Sequence, residues 1–227
     1  MNILCTVCVR AGSKGLRDKN FLKIKNRYLL SYTLDVAQKS KLFKNIVVST
    51  DSKKIRTLKK YYKKILFINR PKKLATDEAN KMDAIRHALK TAEQENNIKY
   101  DLIFDLDATS ALRQVKDLKK SLKVFKKEKA DNLFSVNPSR RNPYFNIIEK
   151  KKGTISVVKK LKKFPIRRQD APATYDMNAS IYIWKRKILL STDKLFGKKT
   201  SIYIMDIERS IDVDNKFDLI MIKNLIK

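Results

Sequence analysis

The chain predicts an α/β fold in which a mostly parallel sheet is covered by helices on both faces. Three observations carry that expectation. Short apolar runs rich in β-branched residues alternate with stretches of helical periodicity along most of the sequence, the pattern of successive strand-helix-strand units. The opening run, Ile3 to Val9, is apolar almost throughout, as suits a strand buried on both faces. Charged and small polar residues collect directly after these runs, at the carboxyl ends where open α/β sheets receive ligands.

The opening strand breaks into Arg10-Ala11-Gly12-Ser13-Lys14-Gly15-Leu16-Arg17-Asp18-Lys19-Asn20. The chain has only 4 glycines, and Gly12 and Gly15 both fall in this loop, so special backbone geometry is expected there. Exposed N–H groups between the glycines can cradle phosphate oxygens while Arg10, Lys14, Arg17 and Lys19 neutralise them; the plainer alternative is a tight turn with a solvated basic rim. The spacing lacks the three glycines of the dinucleotide fingerprint and the glycine-lysine-serine/threonine ending of a P-loop. The stretch Gly12 to Gly15 also matches the GxxG of KH domains, but there it joins two helices and does not follow a buried strand.

Tyr28 to Ser40 has helical spacing of Leu29, Leu30, Tyr32, Thr33, Val36 and Ala37, and Ile46 to Thr50 reads as a second buried strand, completing one strand-helix-strand unit. A helix over Ile55 to Tyr62 and a short strand over Ile65 to Ile68 lead to a loop from Arg70-Pro71 through Leu74-Ala75-Thr76-Asp77. Lys81 to Gln94 is helical in period, Asp101 to Leu106 is a strand ending in the polar cluster Asp107 to Arg113, Gln114 to Lys127 is an amphipathic helix, and Asn132 to Val136 is another strand. Prolines 138, 143, 165 and 172 then bracket a lysine-dense stretch in which Ile147-Ile148 and Ile155 to Val158 flank Gly153, the pattern of a hairpin. Such an arm packs on a partner subunit or stands as a solvated flap, and both readings are open. Ser180 to Trp184 returns to the core, a helix and the strand Ile202 to Met205 follow, and Asn215 to Ile226 is the final helix.

Before that helix, Asp212 and Asp214 stand two apart, so an extended backbone turns both carboxylates to one side. Such a pair suits Mg²⁺ carrying phosphates and water; the alternative is an aspartate N-cap, which Asp214 can provide.

At 227 residues the chain can bury one large α/β core, and no stretch approaches ~20 apolar residues. The amino-terminal apolar run meets charge too soon for a signal peptide, so a cytoplasmic protein with no membrane partner is expected. Cys5 and Cys8 form a C-x-x-C pair, but with 2 cysteines and 1 histidine no zinc ligand set can be completed, and on a strand the two point to opposite faces. They and His87 are read as structural. The net charge of +30 first suggests nucleic acid, yet the lysines are scattered over every segment with no single patch and no aromatic-interleaved motif. A globally positive field favours any polyanion, a nucleoside triphosphate included.

The ordered motifs together resemble the acylneuraminate cytidylyltransferases, the CMP-sugar synthetases. The matching stretches are Arg10 to Gly15 with Lys19-Asn20, Val48 to Ser52, Arg70-Pro71 with Leu74 to Asp77, Thr109-Ser110 with Leu112-Arg113, Arg168-Gln169, Asn178-Ala179 with Ile181-Tyr182, and Ser210 to Asp214. Asp105 to Asp107, Arg140 to Asn146 and Tyr175 to Tyr182 look most like the branch that acts on N,N'-diacetyllegionaminic acid. The resemblance implies a Rossmann-like nucleotidyltransferase fold that transfers CMP from CTP to the anomeric hydroxyl of a nonulosonic acid, with release of pyrophosphate, for surface glycan or flagellin glycosylation. It implies a core of residues 1–137 and 171–227 with an inserted arm, 138–170, that serves the dimer and the sugar site.

Carried over by position, Arg10, Ala11, Gly12, Ser13, Lys14 and Lys19 hold the triphosphate, Asn20, Arg70 and Lys81 complete the nucleotide site, and Asp212 and Asp214 hold Mg²⁺. Lys19, Arg10 and Asp212 are the catalytic charges. Asp107, Phe145, Arg168, Asn178, Tyr182 and Phe196 line the sugar site, with Arg168 placed to meet a carboxylate. Asp107 stands where sialate enzymes carry glutamine, Phe145 where they carry lysine, and Asn80-Lys81 where they carry serines. The resemblance therefore points to a homodimer that takes CTP and a nonulosonic acid, with no nucleic acid as partner.

Overall fold

The computed structural model describes residues 1–12, 16 and 18–226. Strand β1 (Ile3–Cys8) lies between β4 (Asn45–Thr50) and β6 (Leu102–Leu106), parallel to both. Between β1 and β4 the chain forms a two-stranded ribbon, β2 (Lys23–Ile24) with β3 (Arg27–Tyr28), and then helix α1 (Leu29–Ser40). The ribbon was not apparent from periodicity because each strand has two residues; its turn places Lys25 and Asn26 at φ 46° and 63°, the left-handed pair that a tight hairpin requires.

Helix α2 (Ile55–Lys59) precedes the edge strand β5 (Leu66–Asn69), α3 (Lys81–Asn96) precedes β6, and α4 (Val115–Lys127) precedes β7 (Asn132–Pro138). The expected hairpin is present as β8 (Ile148–Lys151) and β9 (Thr154–Val157), a separate two-stranded sheet turning at Lys152 and Gly153. Strand β10 (Tyr175–Lys185), helix α5 (Arg186–Ser191), strand β11 (Thr200–Ile204) and helix α6 (Lys216–Leu225) complete the chain. The main sheet has the order β11-β7-β10-β6-β1-β4-β5. Only β10 runs antiparallel to its neighbours, β6 and β7, so the sheet is mostly parallel as expected.

Alternation along the strands divides the core in two. Ile3, Cys5 and Val7 face one layer with Leu30 and Leu34 of α1 and Leu118, Leu122 and Phe125 of α4; Leu4, Val47 and Ile103 face the other with Ile85 and Leu89 of α3 and Leu189 of α5. Cys5 and Cys8 are free thiols packed on opposite layers. A smaller cluster of Ile24, Leu29, Ala111, Val213 and Ile222 joins α6 to the sheet beside the carboxyl end of β6. Among the described residues no helix is long and apolar enough to cross a membrane.

Candidate active site

A pocket of about 530 Å³ opens where the carboxyl ends of β1 and β6 meet the start of α3. Its walls carry Arg10, Lys19, Arg70 and Lys81 together with Asn20, Asp107 and Asp214. Residues as distant in sequence as Arg10 and Asp214 thus converge, because parallel strands present their carboxyl ends to one edge of the sheet.

Each cation is anchored. Arg10 pairs with Asp77 in the loop before α3, and the Ala11 N–H donates to Asp51 Oδ1 at 2.8 Å, so the first residues of the glycine loop are tied to that loop and to the end of β4. Gly12 has φ +71°, a conformation that other residues rarely adopt, which accounts for glycine there. Ser13, Lys14, Gly15 and Arg17 lie outside the described residues. Arg70 is buried and donates through Nη2 to the Ser49 carbonyl at 2.9 Å and through Nε to Ser49 Oγ at 3.3 Å. Asn20 is buried in the single 3₁₀ turn at Lys19–Phe21. Lys19 Nζ lies 2.6 Å from Asp214 Oδ1.

Lys81 is the first residue of α3, whose N-cap Asn80 accepts the Met82 N–H at 2.9 Å. Its ammonium lies 3.0 Å from Asp105 Oδ2 and 3.3 Å from Asp107 Oδ2, and 5.2 Å from the centre of the Tyr182 ring. Desolvation works against its charge, but the two carboxylates hold its pKa well above the ordinary lysine value. Desolvation likewise opposes ionisation of Asp107, yet Lys81 and the N–H and hydroxyl of Thr109 bring it down to about 2. Asp212 behaves oppositely. Burial first, then the nearby charges of Asp214 and Asp107, push its carboxyl up to about 6, with Lys19 only partly offsetting them. Cys8 also lines the pocket, but burial raises its thiol to about 12, so it is no nucleophile.

The Asp212 environment tests whether a divalent cation fits. The Asp214 and Asp107 charges oppose ionisation of the Asp212 carboxyl, and a hard cation placed beside it would relieve that repulsion. Among the described residues no three acidic, histidine or cysteine side chains enclose such an ion, so Asp212 and Asp214 would share it with phosphate oxygens and water, the manner in which Mg²⁺ is usually held. The N-cap alternative for Asp214 is corrected: Asn215 caps α6, accepting the Phe217 and Asp218 N–H groups at 2.8 and 3.1 Å, and leaves the Asp214 carboxylate to Lys19.

A family profile described as cytidylyltransferase matches residues 4–225. The chain belongs to the cytidylyltransferase family. It is 44% identical over 99% of its length to the "Post-translational flagellin modification protein B" of Campylobacter coli, covering 95% of that protein. It is 42% identical, again over 99% of its length, to the CMP-N,N'-diacetyllegionaminic acid synthase of Campylobacter jejuni, covering 94% of it. Among solved structures, a CMP:2-keto-3-deoxy-manno-octonic acid synthetase complexed with CTP superposes with a TM-score of 0.69 at 13% identity, over 100% of this chain and 98% of that one, which shows the shared fold.

In this cytidylyltransferase the residues expected at the sugar site are divided: Asp107 lines the pocket with the nucleotide residues, Tyr182 adjoins it, and the others lie outside its walls. Tyr182 adjoins the pocket through Lys81 and stacks on Trp184 at 5.3 Å between ring centres. Phe196 is exposed and packs edge-on against Phe134 at 5.5 Å. Phe145 stacks on Phe164 at 5.9 Å, within the inserted arm. Arg168 lines a second recess, of about 450 Å³, with Ser139, Asn142, Tyr175 and Ile204, and donates to the Ser139 carbonyl. Asn178 is buried with its amide engaged by Ser135, Ser180 and Ser210. Asp105 and Asp51 were not singled out from the sequence as site residues: each is an aspartate at a strand end whose partner is fixed only by the fold.

Proposed function

We propose that this cytidylyltransferase joins CMP from CTP to the anomeric hydroxyl of a nonulosonic acid, N,N'-diacetyllegionaminic acid before other sugars, in the cytoplasm, as a homodimer, with neither nucleic acid nor membrane as partner. The observation that carries this reading is the pocket itself, with four cations at the carboxyl edge of the sheet, the Asp107 and Asp214 carboxylates in its walls and Asp212 close behind them. The 42% identity to a legionaminic acid synthase supports the choice of sugar, and the flagellin relative supports a role in surface glycosylation.

The sugar oxygen attacks the α-phosphorus of CTP, forming a new O–P bond, while the bond to the β-phosphate breaks and pyrophosphate leaves with its electron pair. Such a transfer needs alignment and neutralisation of charge, and no covalent protein group. Arg10 and Lys19 meet the growing charge of the leaving group, Arg70 and Asn20 seat the nucleoside, and Asp212 and Asp214 would hold Mg²⁺. When bound, that ion neutralises phosphate charge and orients the oxygens. Lys81, fixed by Asp105 and Asp107, presents a permanent donor to the bound substrates.

A pyrophosphate-release panel tests the reading, with CTP, UTP and ATP against N,N'-diacetyllegionaminic, N-acetylneuraminic and 3-deoxy-manno-octulosonic acids. An apolar contact distinguishes a methyl from a hydroxyl by only ~10–200-fold, so kcat/KM with CTP is expected to favour the legionaminic acid over the sialic acid by at least about tenfold. Phe145→Lys should narrow the gap. Equal efficiency, or a preference for the sialic acid, overturns the choice of sugar; no release with any acid overturns the reaction.

A further inference from the structure

The register of β10 against β7 shifts between Met177 and Tyr182, and Ala179 within the shift has φ 53°. A bulge takes peptide groups out of the ladder, and buried ones need other partners. Here the Ser180 N–H donates to Asn178 Oδ1 at 3.2 Å and the Ile181 N–H to Ser135 Oγ at 2.8 Å. Ser135 Oγ donates in turn to Asn178 Oδ1 at 2.6 Å, and Asn178 Nδ2 donates to Ser210 Oγ at 3.1 Å. Ser210 opens the segment that carries Asp212 and Asp214.

On the other side of the bulge stands Arg113, 2% exposed. Its Nη1 donates to the Ser180 carbonyl at 2.6 Å and to Ser180 Oγ at 3.0 Å, and its Nη2 to Thr33 Oγ1 at 2.7 Å and the Asp107 carbonyl at 3.1 Å. Among the described residues its bonds go to neutral oxygens. A guanidinium buried in that way gives up hydration without the return of a close ion pair, so overall stability is a poor reason for its presence. Its bonds instead fix where the main chain at Asp107 lies relative to Ser180. One continuous buried chain of hydrogen bonds therefore runs from Asp107, through Arg113, Ser180 and Asn178, to Ser210.

We propose that Arg113 and Asn178 are positioning residues for CMP transfer: through Ser180 and Ser210 they set the distance between Asp107 and the Asp212–Asp214 pair, and so the spacing of the carboxylates around the cation. This rests on the reading of Asp212 and Asp214 as cation ligands, and it removes Asn178 from direct sugar contact. Groups behind metal ligands typically change affinity by ~10–100-fold when lost.

The test uses full-length Ser210→Ala, Asn178→Ala, the double variant and, as reference, Asp212→Asn. Binding of the Mn²⁺–CTP complex is measured by calorimetry without sugar, and KM for the sugar acid is measured separately. Ser210→Ala and Asn178→Ala should each weaken Mn²⁺–CTP by about tenfold, the double variant should be no worse than Asn178→Ala, and KM for the sugar should stay within about twofold. A raised sugar KM with unchanged Mn²⁺–CTP binding in Asn178→Ala would make that residue a sugar contact and overturn the proposal. So would unchanged binding in Ser210→Ala, which decides alone where Asn178→Ala does not fold. If Asp212→Asn leaves Mn²⁺–CTP binding unchanged, the cation reading itself fails and the relay with it; if only Asp212→Asn matters, the relay alone fails.

Discussion

Lys19 is held by the Asp214 carboxylate, its partner across the proposed triphosphate site. Its ammonium lies 2.6 Å from Asp214 Oδ1; in the proposed reaction, phosphate oxygens would take over the lysine and Asp214 would be left to hold a cation. Its charge matters most as pyrophosphate departs, so Lys19→Ala should lower kcat roughly 10²-fold or more, and activity within threefold of the parent would remove it from catalysis. Asp212 shows the opposite cost. Its folded pKa of about 6 exceeds the unfolded carboxylate value of ~4, so the folded state binds the extra proton between those values and stability falls as pH rises through that window. Asp212→Asn removes the penalty. Its melting temperature should match the parent near pH 4 and exceed it at pH 8 by about 2 °C, a modest figure because the group is partly solvated. Activity should fall sharply and recover in part with excess Mg²⁺ or Mn²⁺. A variant that melts like the parent at pH 8 would show that the neighbouring carboxylates are not in conflict.

The N-terminus of α3 shows how one element delivers a side chain to the site. Asn80 caps the helix and Lys81 follows it directly, so loss of the cap loosens the turn that aims the ammonium. Asn80→Ala should cost about 1 kcal/mol, or ~2–4 °C in a chain of this size, with KM for CTP rising while Lys81 remains charged. An unchanged melting temperature would mean that the cap is idle. This helix was legible from its 3.6-residue period, as were α1, α4 and the apolar strands, because each buries a regular stripe. Strand β10 was half legible. Asn178 and Ser180 spoil its alternation, since the bulge turns them toward buried polar partners and not toward solvent. Arg113 was visible only as part of a motif, for its partners are carbonyl and hydroxyl oxygens brought from remote positions, which no local pattern encodes. Helix α2 stops at Lys59, short of Tyr62, whose hydroxyl instead reaches Asp35 of α1 at 2.7 Å.

At the scale of the molecule, the inserted arm is the element that a single chain leaves unfinished. Ile148, Ile155, Phe164 and Ile166 are 57–84% exposed along it, an apolar surface that a lone domain rarely leaves to water. The same arm holds Phe145 and Arg168, two residues expected at the sugar site, and neither lines its own chain's nucleotide pocket. Both facts fit the proposed homodimer if each arm covers its apolar face on the partner and brings Phe145 and Arg168 to the partner's pocket. Nucleotide and cation residues would then act in cis, and the arm's residues in trans. Asp212→Asn and Arg168→Ala should each be nearly inactive alone. When the two chains are unfolded, mixed in equal amounts and refolded, half the dimers carry one copy of each, and one of the two sites in every such dimer has an intact Asp212 and an intact Arg168. About a quarter of the parent activity should return on that statistical basis. No recovery, in a mixture shown by mass to contain mixed dimers, would place Arg168 in its own chain's site and leave the exposed face of the arm to another purpose.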